Sequence, residues 1–397
     1  MRYILMTLVV VSQLAYGQSI WDSAHLALVK QNLQLPVYTP AFDILIGKAE
    51  KLMGQRPVSV MMKDKTAVSG DKHDYLSLSR YFWPDPTKPD GLPYINRDGV
   101  SNPELERLDR PKLSVMASGV TTLSLAWYFS DEEKYARKAV EMLRTWFINK
   151  DTRMNPHLEY AQIVPGQNGD KGRCYGLIDA YSFVEMLDAV QLLEGSKSFT
   201  RKDRKRLKDW FGRFLEWMLN SAQGQEECRQ ANNHAIAYDV QVMAYARYVN
   251  NTKVISDFMS QFYKRRMKKQ INPDGTQPQE LRRTLAFGYS EYNLSHMIDV
   301  FQIAKAAGMS SEGLPLLEKA ADFLAQYIGK PVEEWPYQQI SGWDEKQHEL
   351  CLDLYRLYLL DPDRTDYLKL ARAHLPKRFS ERFVLLYGQL AETENGQ

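Results

Sequence analysis

The chain has few of the residues that mark several common classes of protein. Only three of its 397 residues are cysteines, Cys174, Cys228 and Cys351, and an odd number of widely spaced cysteines cannot form a fully paired disulfide framework. We therefore expect them to be small buried side chains. The sequence also contains no His-x-x-x-His or Cys-x-x-Cys pair, no glycine-rich phosphate loop and no Gly-x-Ser-x-Gly turn. We predict neither a metal nor a cofactor.

Long hydrophobic runs and an excess of charge of one sign are also missing. Only residues 1–17 form an apolar terminal stretch, with Arg2 before an apolar run over residues 4–11 and small residues at positions 15 and 17. This pattern predicts a signal peptide cleaved before Gln18 and a periplasmic or secreted protein, with an uncleaved anchor as the alternative. The formal net charge of +2 predicts binding to neither nucleic acid nor, after signal removal, a membrane.

Most of the remaining chain shows apolar residues at three- and four-residue steps, which is typical of amphipathic helices. Strand-length alternation is scarce, so β-structure should be minor. Helices in successive hairpins favour an all-α fold, either an α/α toroid (an incomplete α/α barrel) or a helical-repeat array. We expect one domain over residues 18–390 and a polar tail over 391–397. The predicted helices cover residues 21–33, 40–53, 113–128, 175–193, 234–248, 253–269, 290–307, 314–328, 345–360 and 367–374, with others near 135–147 and 200–224.

Three local features refine this helical pattern. Ser130 and Glu133 have the spacing of a capping box, so they should begin the helix that follows. Thr200 and Asp203 should begin another. The basic residues of 201–208 and of 264–269 are expected to lie on solvated helix surfaces.

Residues 57–111 interrupt the helices with seven prolines and several aromatic residues. Such dense proline prevents long helices, and a long loop within a compact domain is usually functional. We expect a lid or a wall of a cleft. Aromatic faces stack on sugar rings and arginine binds carboxylates at two points, so Tyr81, Trp83, Tyr94 and Arg97 are candidate substrate-binding residues. The alternative is that this segment is an ordered surface loop whose aromatic side chains are buried in the core.

Two polar stretches carry the strongest indication of chemistry. Asn233 and His234 stand together, and the paired arginines Arg282 and Arg283 precede Tyr289 by seven and six residues. Amide, imidazole, guanidinium and phenol groups suit the removal of a proton beside a carboxylate. Each part also has a simpler explanation, because an Asn-His step often caps a helix and a single tyrosine often lies in a core.

The amino-acid sequence of these stretches resembles the active-site signature of the alginate lyase superfamily. This superfamily includes polysaccharide lyase family five and related α/α-toroid lyases acting on glucuronan and alginate. The similarity runs from about residue 40 to 330 and includes the aromatic segment from Tyr75 to Glu104. The motifs that carry it are Gln230-Ala231-Asn232-Asn233-His234, Pro273-Asp274-Gly275-Thr276-Gln277-Pro278-Gln279-Glu280-Leu281-Arg282-Arg283 and Tyr289-Ser290-Glu291-Tyr292.

The resemblance implies a polysaccharide lyase that cleaves a 1,4-linked polyuronate by β-elimination and leaves a 4,5-unsaturated uronate end. Asn233 and Arg283 would neutralise the substrate carboxylate. Tyr289 would supply the acid and, in a syn reaction, also the base. His234 would be the base for the opposite C5 epimer or would position Tyr289. Tyrosine ordinarily titrates near pH 10, so we expect an arginine beside Tyr289 that favours its phenolate.

Several choices stay open at this level. Arg282 and Arg283 both fit the spacing of the family arginine, and we favour Arg283. Ser290 and Glu291 stand where alginate-specific members carry His-Asn, so the anionic oligosaccharide or polysaccharide substrate is alginate or glucuronan. Further candidate binding residues are Lys112, Arg173, Glu227 and Arg282. The alternatives are a hydrolase of acidic oligosaccharides and a non-catalytic glycan-binding protein, and the oligomeric state is open.

Overall fold

Five helices pack side by side in the interior, and the helices that follow them in the chain lie outside, as the computed structural model of the protein shows. The structure describes residues 18–309, 312–375 and 381–388, so the predicted signal peptide and polar tail lie outside the described residues. The helices are α1 (Ser23–Gln31), α2 (Thr39–Met53), α3 (Asp109–Ser130), α4 (Glu133–Leu143), α5 (Phe183–Leu192), α6 (Arg201–Asn220), α7 (Ala222–Cys228), α8 (Asn233–Tyr248), α9 (Thr252–Phe262), α10 (Lys268–Gln270), α11 (Pro278–Leu281), α12 (Ala286–Ala306), α13 (Leu314–Ala325), α14 (Trp343–Leu360), α15 (Thr365–His374) and α16 (Glu381–Tyr387).

The inner helices follow one another as α3, α5, α8, α12 and α14, each in contact with the next. The outer helices α4, α6, α9, α13 and α15 pack against this layer, and α16 contacts α2, which in turn contacts α3. α8 and α12 are buried on almost every side, and their buried residues include polar side chains such as Asp239 and His296 beside the apolar ones. The predicted all-α toroid is confirmed.

Short strands shape the segment over residues 57–111. The strands are β1 (Leu76–Leu78), β2 (Phe82–Trp83), β3 (Ile95–Asn96) and β4 (Tyr160–Ile163). β1 pairs with β4 in parallel, and β2 pairs with β3 in an antiparallel hairpin. These pairings hold the residues just after β1 and just after β3 beside the N-terminal ends of α8 and α12, where they line a common cleft.

The predicted capping box at Ser130 and Glu133 is wrong. The Ser130 hydroxyl donates to the Ala126 carbonyl and accepts from the Glu132 N–H, so it ends α3. The Glu133 carboxylate instead accepts hydrogen bonds from Ser196 and Ser198, at 2.6 and 2.7 Å. Partners from a distant loop therefore outcompete the local cap. The capping box that does form begins α6, at Thr200 and Asp203.

Two further expectations need correction. The helix predicted from residue 175 begins instead as a 3₁₀ turn, Cys174–Ala180, and α5 starts only at Phe183. Arg266 is not solvated: it is 3% exposed and forms two 2.7 Å hydrogen bonds with the buried Asp239. A buried carboxylate needs such a partner, which the local sequence does not reveal.

Two of the three cysteines are buried as predicted, and the hydropathy pattern also agrees with the prediction. Cys174 and Cys351 are buried, Cys228 is partly buried, and all three are free. Across the described ranges no helix is both long and apolar enough to cross a bilayer.

Candidate active site

An open cleft of about 820 Å³ lies between the segment after β1, the loop after β4 and the N-terminal ends of α8 and α12. Four of its lining residues are those that the sequence singles out for catalysis, Asn233, His234, Arg283 and Tyr289. The other side chains that matter below are Arg80, Tyr81, Asp98, Arg110, Gln162, Arg173, Tyr175, Tyr292, Glu345 and Lys346. Its size is that of a typical pocket for a small ligand.

The Tyr289 hydroxyl is the meeting point of two hydrogen bonds. Nη2 of Arg283 donates to it at 2.8 Å, and the Tyr81 hydroxyl lies 2.9 Å away. The guanidinium carbon of Arg283 is also 3.8 Å from the centre of the Tyr289 ring. Asp98 fixes the arginine from the other side, with 2.6 Å between its carboxylate and Nη2. The phenol is therefore held in one position by a charged donor and a neutral hydroxyl.

Burial controls the protonation of this tyrosine. It raises the pKa of Tyr289 above its usual value, and the nearby Tyr81 adds to the rise, whereas the Arg283 guanidinium lowers it. The expected arginine is thus present, but desolvation outweighs it. At neutral pH the group is a phenol that can donate a proton.

Asn233 is held at the start of α8 by a buried carboxylate. Asn232 caps the helix by accepting from the His234 N–H, which leaves Asn233 as the first helical residue. Its backbone N–H and its Nδ2 each donate to one oxygen of Glu280, both at 2.7 Å. Burial raises the pKa of Glu280, and the two hydrogen bonds from Asn233 oppose that rise. Because both oxygens accept, the arrangement fits the ionised form.

His234 follows on the same turn, and α7 supplies its partner. Nδ1 of His234 lies 2.6 Å from the carboxylate of Glu227, whose side chain is 1% exposed. A carboxylate can only accept, so Nδ1 carries a proton and Nε2 is the nitrogen left for other chemistry. The Tyr175 ring meets the imidazole edge to face, with 4.8 Å between ring centres.

Positive charge dominates the remaining wall of the cleft. Besides Arg283, the cations are Arg80, Arg110, Arg173 and Lys346, whereas the lining carboxylates are Asp98 and Glu345. Such an excess concentrates anionic ligands in a cleft. Among the described side chains, no three His, Cys, Asp or Glu residues converge in a way that could hold a metal ion.

The structure separates the predicted substrate-binding residues into two groups. Tyr81 and Arg173 line the cleft, and Glu227 reaches it through His234. The other predicted residues lie outside the lining and bond elsewhere: Trp83 to the Val100 carbonyl, Tyr94 to Glu104, Lys112 to the Leu108 carbonyl, Arg282 to the Pro278 carbonyl, and Arg97 over the Trp83 ring. Of the two neighbouring arginines, it is Arg283 that contacts Tyr289.

Sequence reasoning did not single out several residues of the cleft. Arg80 stands next to Tyr81 in the sequence, so its position offered an indication. Glu280 lies outside the cleft lining but within the motif that precedes Tyr289. Arg110, Tyr292 and Lys346 lie at scattered points in three different helices. Only the packing of α3, α12 and α14 brings them together.

Comparison with known proteins shows what the chain is similar to. The family model for alginate lyase matches residues 59–335. A crystal structure of an alginate lyase from Bacteroides ovatus is 47% identical, covers 94% of this chain and 99% of that chain, and has a TM-score of 0.90. Alginate lyase A1-III from Sphingomonas species A1, at 13% identity, covers 87% of this chain and 94% of that chain with a TM-score of 0.55, and thus shares the fold. A variant of that enzyme complexed with a tetrasaccharide matches equally well. No curated protein matches the chain significantly.

Proposed function

Because the chain belongs to the alginate lyase family and is a polysaccharide lyase, we propose that its substrate is a 1,4-linked polyuronate, alginate or glucuronan. It would cleave this polymer by β-elimination and leave a 4,5-unsaturated uronate at the new end. The observation that carries the proposal is the Tyr289 phenol, held by Arg283 and Tyr81 in a cation-rich cleft beside Asn233 and His234.

Tyr289 is the proposed general acid. It would donate its proton to O4 of the sugar whose C4–O4 bond breaks. The phenolate that forms would keep the hydrogen bonds from Arg283 and Tyr81, so the charge that develops in the transition state meets donors already in place. The raised pKa of the buried phenol favours this role over that of the initial base.

His234 is the proposed base. With Nδ1 bonded to Glu227, Nε2 can accept the C5 proton while the electrons of the C5–H bond form the C4=C5 double bond. The alternative, in which Tyr289 is both base and acid, requires a phenolate at the start of the reaction. Burial of Tyr289 disfavours that ion.

Asn233 and Arg283 are the proposed partners of the substrate carboxylate at C5. One N–H of the Asn233 amide bonds Glu280, and its second N–H is left for a ligand. Arg283 uses Nε and Nη2 for Asp98 and Tyr289, and none of the hydrogen bonds among the described residues uses its Nη1. Neutralising the carboxylate stabilises the negative charge that spreads onto it when C5 loses its proton.

A panel of four substrates tests the function. Alginate, polymannuronate, polyguluronate and glucuronan are incubated with the wild-type protein and with Tyr289→Phe, and the absorbance of the unsaturated product is recorded. We expect product from the wild type on at least one polymer and a loss of about 10³-fold in Tyr289→Phe. Tyr94→Phe, which removes a hydroxyl outside the cleft, is the control and should retain activity.

The other functional classes give different results in the same panel. A hydrolase would release reducing ends without the unsaturated chromophore and would tolerate Tyr289→Phe. A non-catalytic binding protein would bind one polymer in calorimetry and form no product. Either result would overturn the proposal.

We also propose that the protein is exported, on the pattern of residues 1–17. Expression of the full chain in a bacterial host, followed by N-terminal sequencing of the periplasmic fraction, should give a chain that begins at Gln18. A chain that keeps Met1 and sediments with the membranes would instead indicate the uncleaved anchor.

A further inference from the structure

A second cavity of about 610 Å³ adjoins the catalytic cleft. Arg173 and Tyr175 line both, so each residue presents one side to either space. Tyr175 is also the ring in contact with His234. The Tyr175 ring therefore separates the second cavity from His234, the proposed base, and the second cavity lies on the side of α7.

The boundary between the two spaces is built rigidly. The guanidinium of Arg173 lies 5.0 Å from the centre of the Phe82 ring and 4.6 Å from that of Tyr175, so it contacts both rings. The backbone of this loop hydrogen-bonds β4 and the residue before it, from Gly172 N–H to the Glu159 carbonyl at 2.8 Å and from Arg173 N–H to the Ala161 carbonyl at 3.0 Å.

Glycine permits this close approach. A Cβ at position 172 would lie 2.5 Å from the Ala161 carbonyl oxygen and 2.6 Å from the backbone of Glu159. Any other residue would push the loop away from β4. The loop that carries Arg173 and Tyr175 is thus fixed by packing, and both cavities keep their shared wall.

Trp217 gives the second cavity the surface of a sugar site. Its half-buried ring lies almost parallel to that of Phe214, at an angle of 4° with 6.2 Å between centres, and it lines the cavity. No described residue accepts a hydrogen bond from its indole N–H. An aromatic ring with a free polar edge suits the stacking of a sugar ring and a hydrogen bond to its hydroxyl groups.

The charges of the two spaces differ. The catalytic cleft has an excess of cations, whereas Lys171 and Arg173 in the second cavity face two carboxylates, Glu159 and Glu226. Lys171 Nζ lies 3.8 Å from Glu159. Net attraction for an anion is therefore weak here, so a sugar would be bound by stacking and hydrogen bonds.

We propose that this second cavity is a distal sugar subsite, with Trp217 as its platform. It takes a residue of the bound oligouronate that lies beyond the sugars held in the catalytic cleft. The inference rests on the proposed function for the identity of its ligand. It makes the chain select longer substrates, because only they reach past Tyr175.

The test measures binding without turnover. In a Tyr289→Phe background, calorimetry with oligouronates from disaccharide to hexasaccharide should show affinity rising with length. Adding Trp217→Ala should weaken the longest ligand by about tenfold and leave the shortest within about twofold, since stacking is lost only where a sugar reaches the ring. Trp217→Phe should restore part of the affinity for the longest ligand that Trp217→Ala loses. Trp127→Ala, which alters a half-buried tryptophan outside both cavities, should not change the dependence on length.

The outcomes separate this inference from the proposed function. An equal loss at every length, or no loss, would overturn the distal subsite even where the wild type forms unsaturated product from the same oligomers. A length-dependent loss with no product from the wild type would retain the subsite and overturn the lyase mechanism. Absence of oligouronate binding to Tyr289→Phe and of wild-type product would overturn both.

Discussion

Glu280 receives two hydrogen bonds from one residue, Asn233: the backbone N–H donates to Oε1 and the side-chain Nδ2 to Oε2, both at 2.7 Å. A carboxylate has only acceptors, so it admits one orientation of the Asn233 amide, with nitrogen toward Glu280. The second N–H of that nitrogen is thereby directed elsewhere. Glu280 is 1% exposed and does not line the cleft, so it acts by positioning Asn233.

Glu280→Gln should therefore impair catalysis without abolishing the fold. The glutamine oxygen can accept from the Asn233 backbone, but its NH₂ group then faces Nδ2, and the Asn233 amide turns its oxygen to meet it. The donor for the substrate carboxylate is displaced, and we expect kcat to fall by about 10²-fold. Steady-state kinetics and thermal unfolding measure the two effects.

Glu280→Asp is the matched variant, because it keeps an acceptor-only group on a shorter side chain. It should retain more of the wild-type kcat than Glu280→Gln does. Wild-type kcat in Glu280→Gln, or equal losses in both variants that follow a loss of folded protein, would contradict the positioning role.

Substituting the two neighbouring arginines should change kcat to very different extents. Arg283→Lys loses the fork that joins Asp98 and Tyr289, and lysine cannot replace a planar two-point donor. We expect kcat to fall by about 10- to 100-fold. Arg282→Lys, the same change on an exposed side chain bonded to the Pro278 carbonyl, should stay within about twofold of wild type. Comparable losses in both variants would mean that the contact with Tyr289 is not what matters.

Glu227→Gln should lower kcat more than it raises KM. Glutamine can either accept from Nδ1 of His234 or donate to it, and donation moves the imidazole proton onto Nε2, where it blocks the proposed base. We expect a fall in kcat of about 10²-fold on a short oligouronate. Glu216→Gln, on an exposed side chain of α6 outside both cavities, is the control. Unchanged kcat in Glu227→Gln would argue against His234 as the base.

Asp74 should make the fold sensitive to acid. Burial raises its pKa, but hydrogen bonds from His157, Asn155 and Ser69 outweigh that effect and hold the pKa at about 2. The unfolded carboxyl titrates near pH 3.9, so its stabilising contribution is complete above that pH and is lost as the pH falls toward about 2.

Denaturant unfolding at about pH 5 and about pH 2.5 measures this contribution. Between these two pH values the free energy of unfolding should fall in both proteins. The fall should be smaller in Asp74→Asn than in the wild type, by about 1–2 kcal/mol after allowance for solvent screening. Asp151→Asn, on an exposed side chain, should behave like the wild type. Equal acid losses in Asp74→Asn and the wild type would exclude Asp74 as a source of the sensitivity.

Local patterns predicted most of the helices because apolar periodicity records which face of a helix is buried. These patterns failed where a residue distant in sequence provides the partner. Glu133 accepts hydrogen bonds from Ser196 and Ser198 instead of capping a helix, and Arg266 is buried against Asp239 instead of being solvated. Within the 3₁₀ turn Cys174–Ala180, Gly176 lies so close to Ala161 that a Cβ would be 2.5 Å from it, a contact that periodicity does not encode.

By itself the sequence determined the helical class, the family resemblance and four candidate catalytic residues, because periodicity and short motifs are local. The choice of Arg283 over Arg282 depended on the direction of a side chain in space. The protonation of Tyr289 depended on burial, which a motif cannot express. Tertiary structure alone joined Glu280 to Asn233, Glu227 to His234 and the second cavity to the first, since these contacts form only when α7, α8, α11 and α12 pack together.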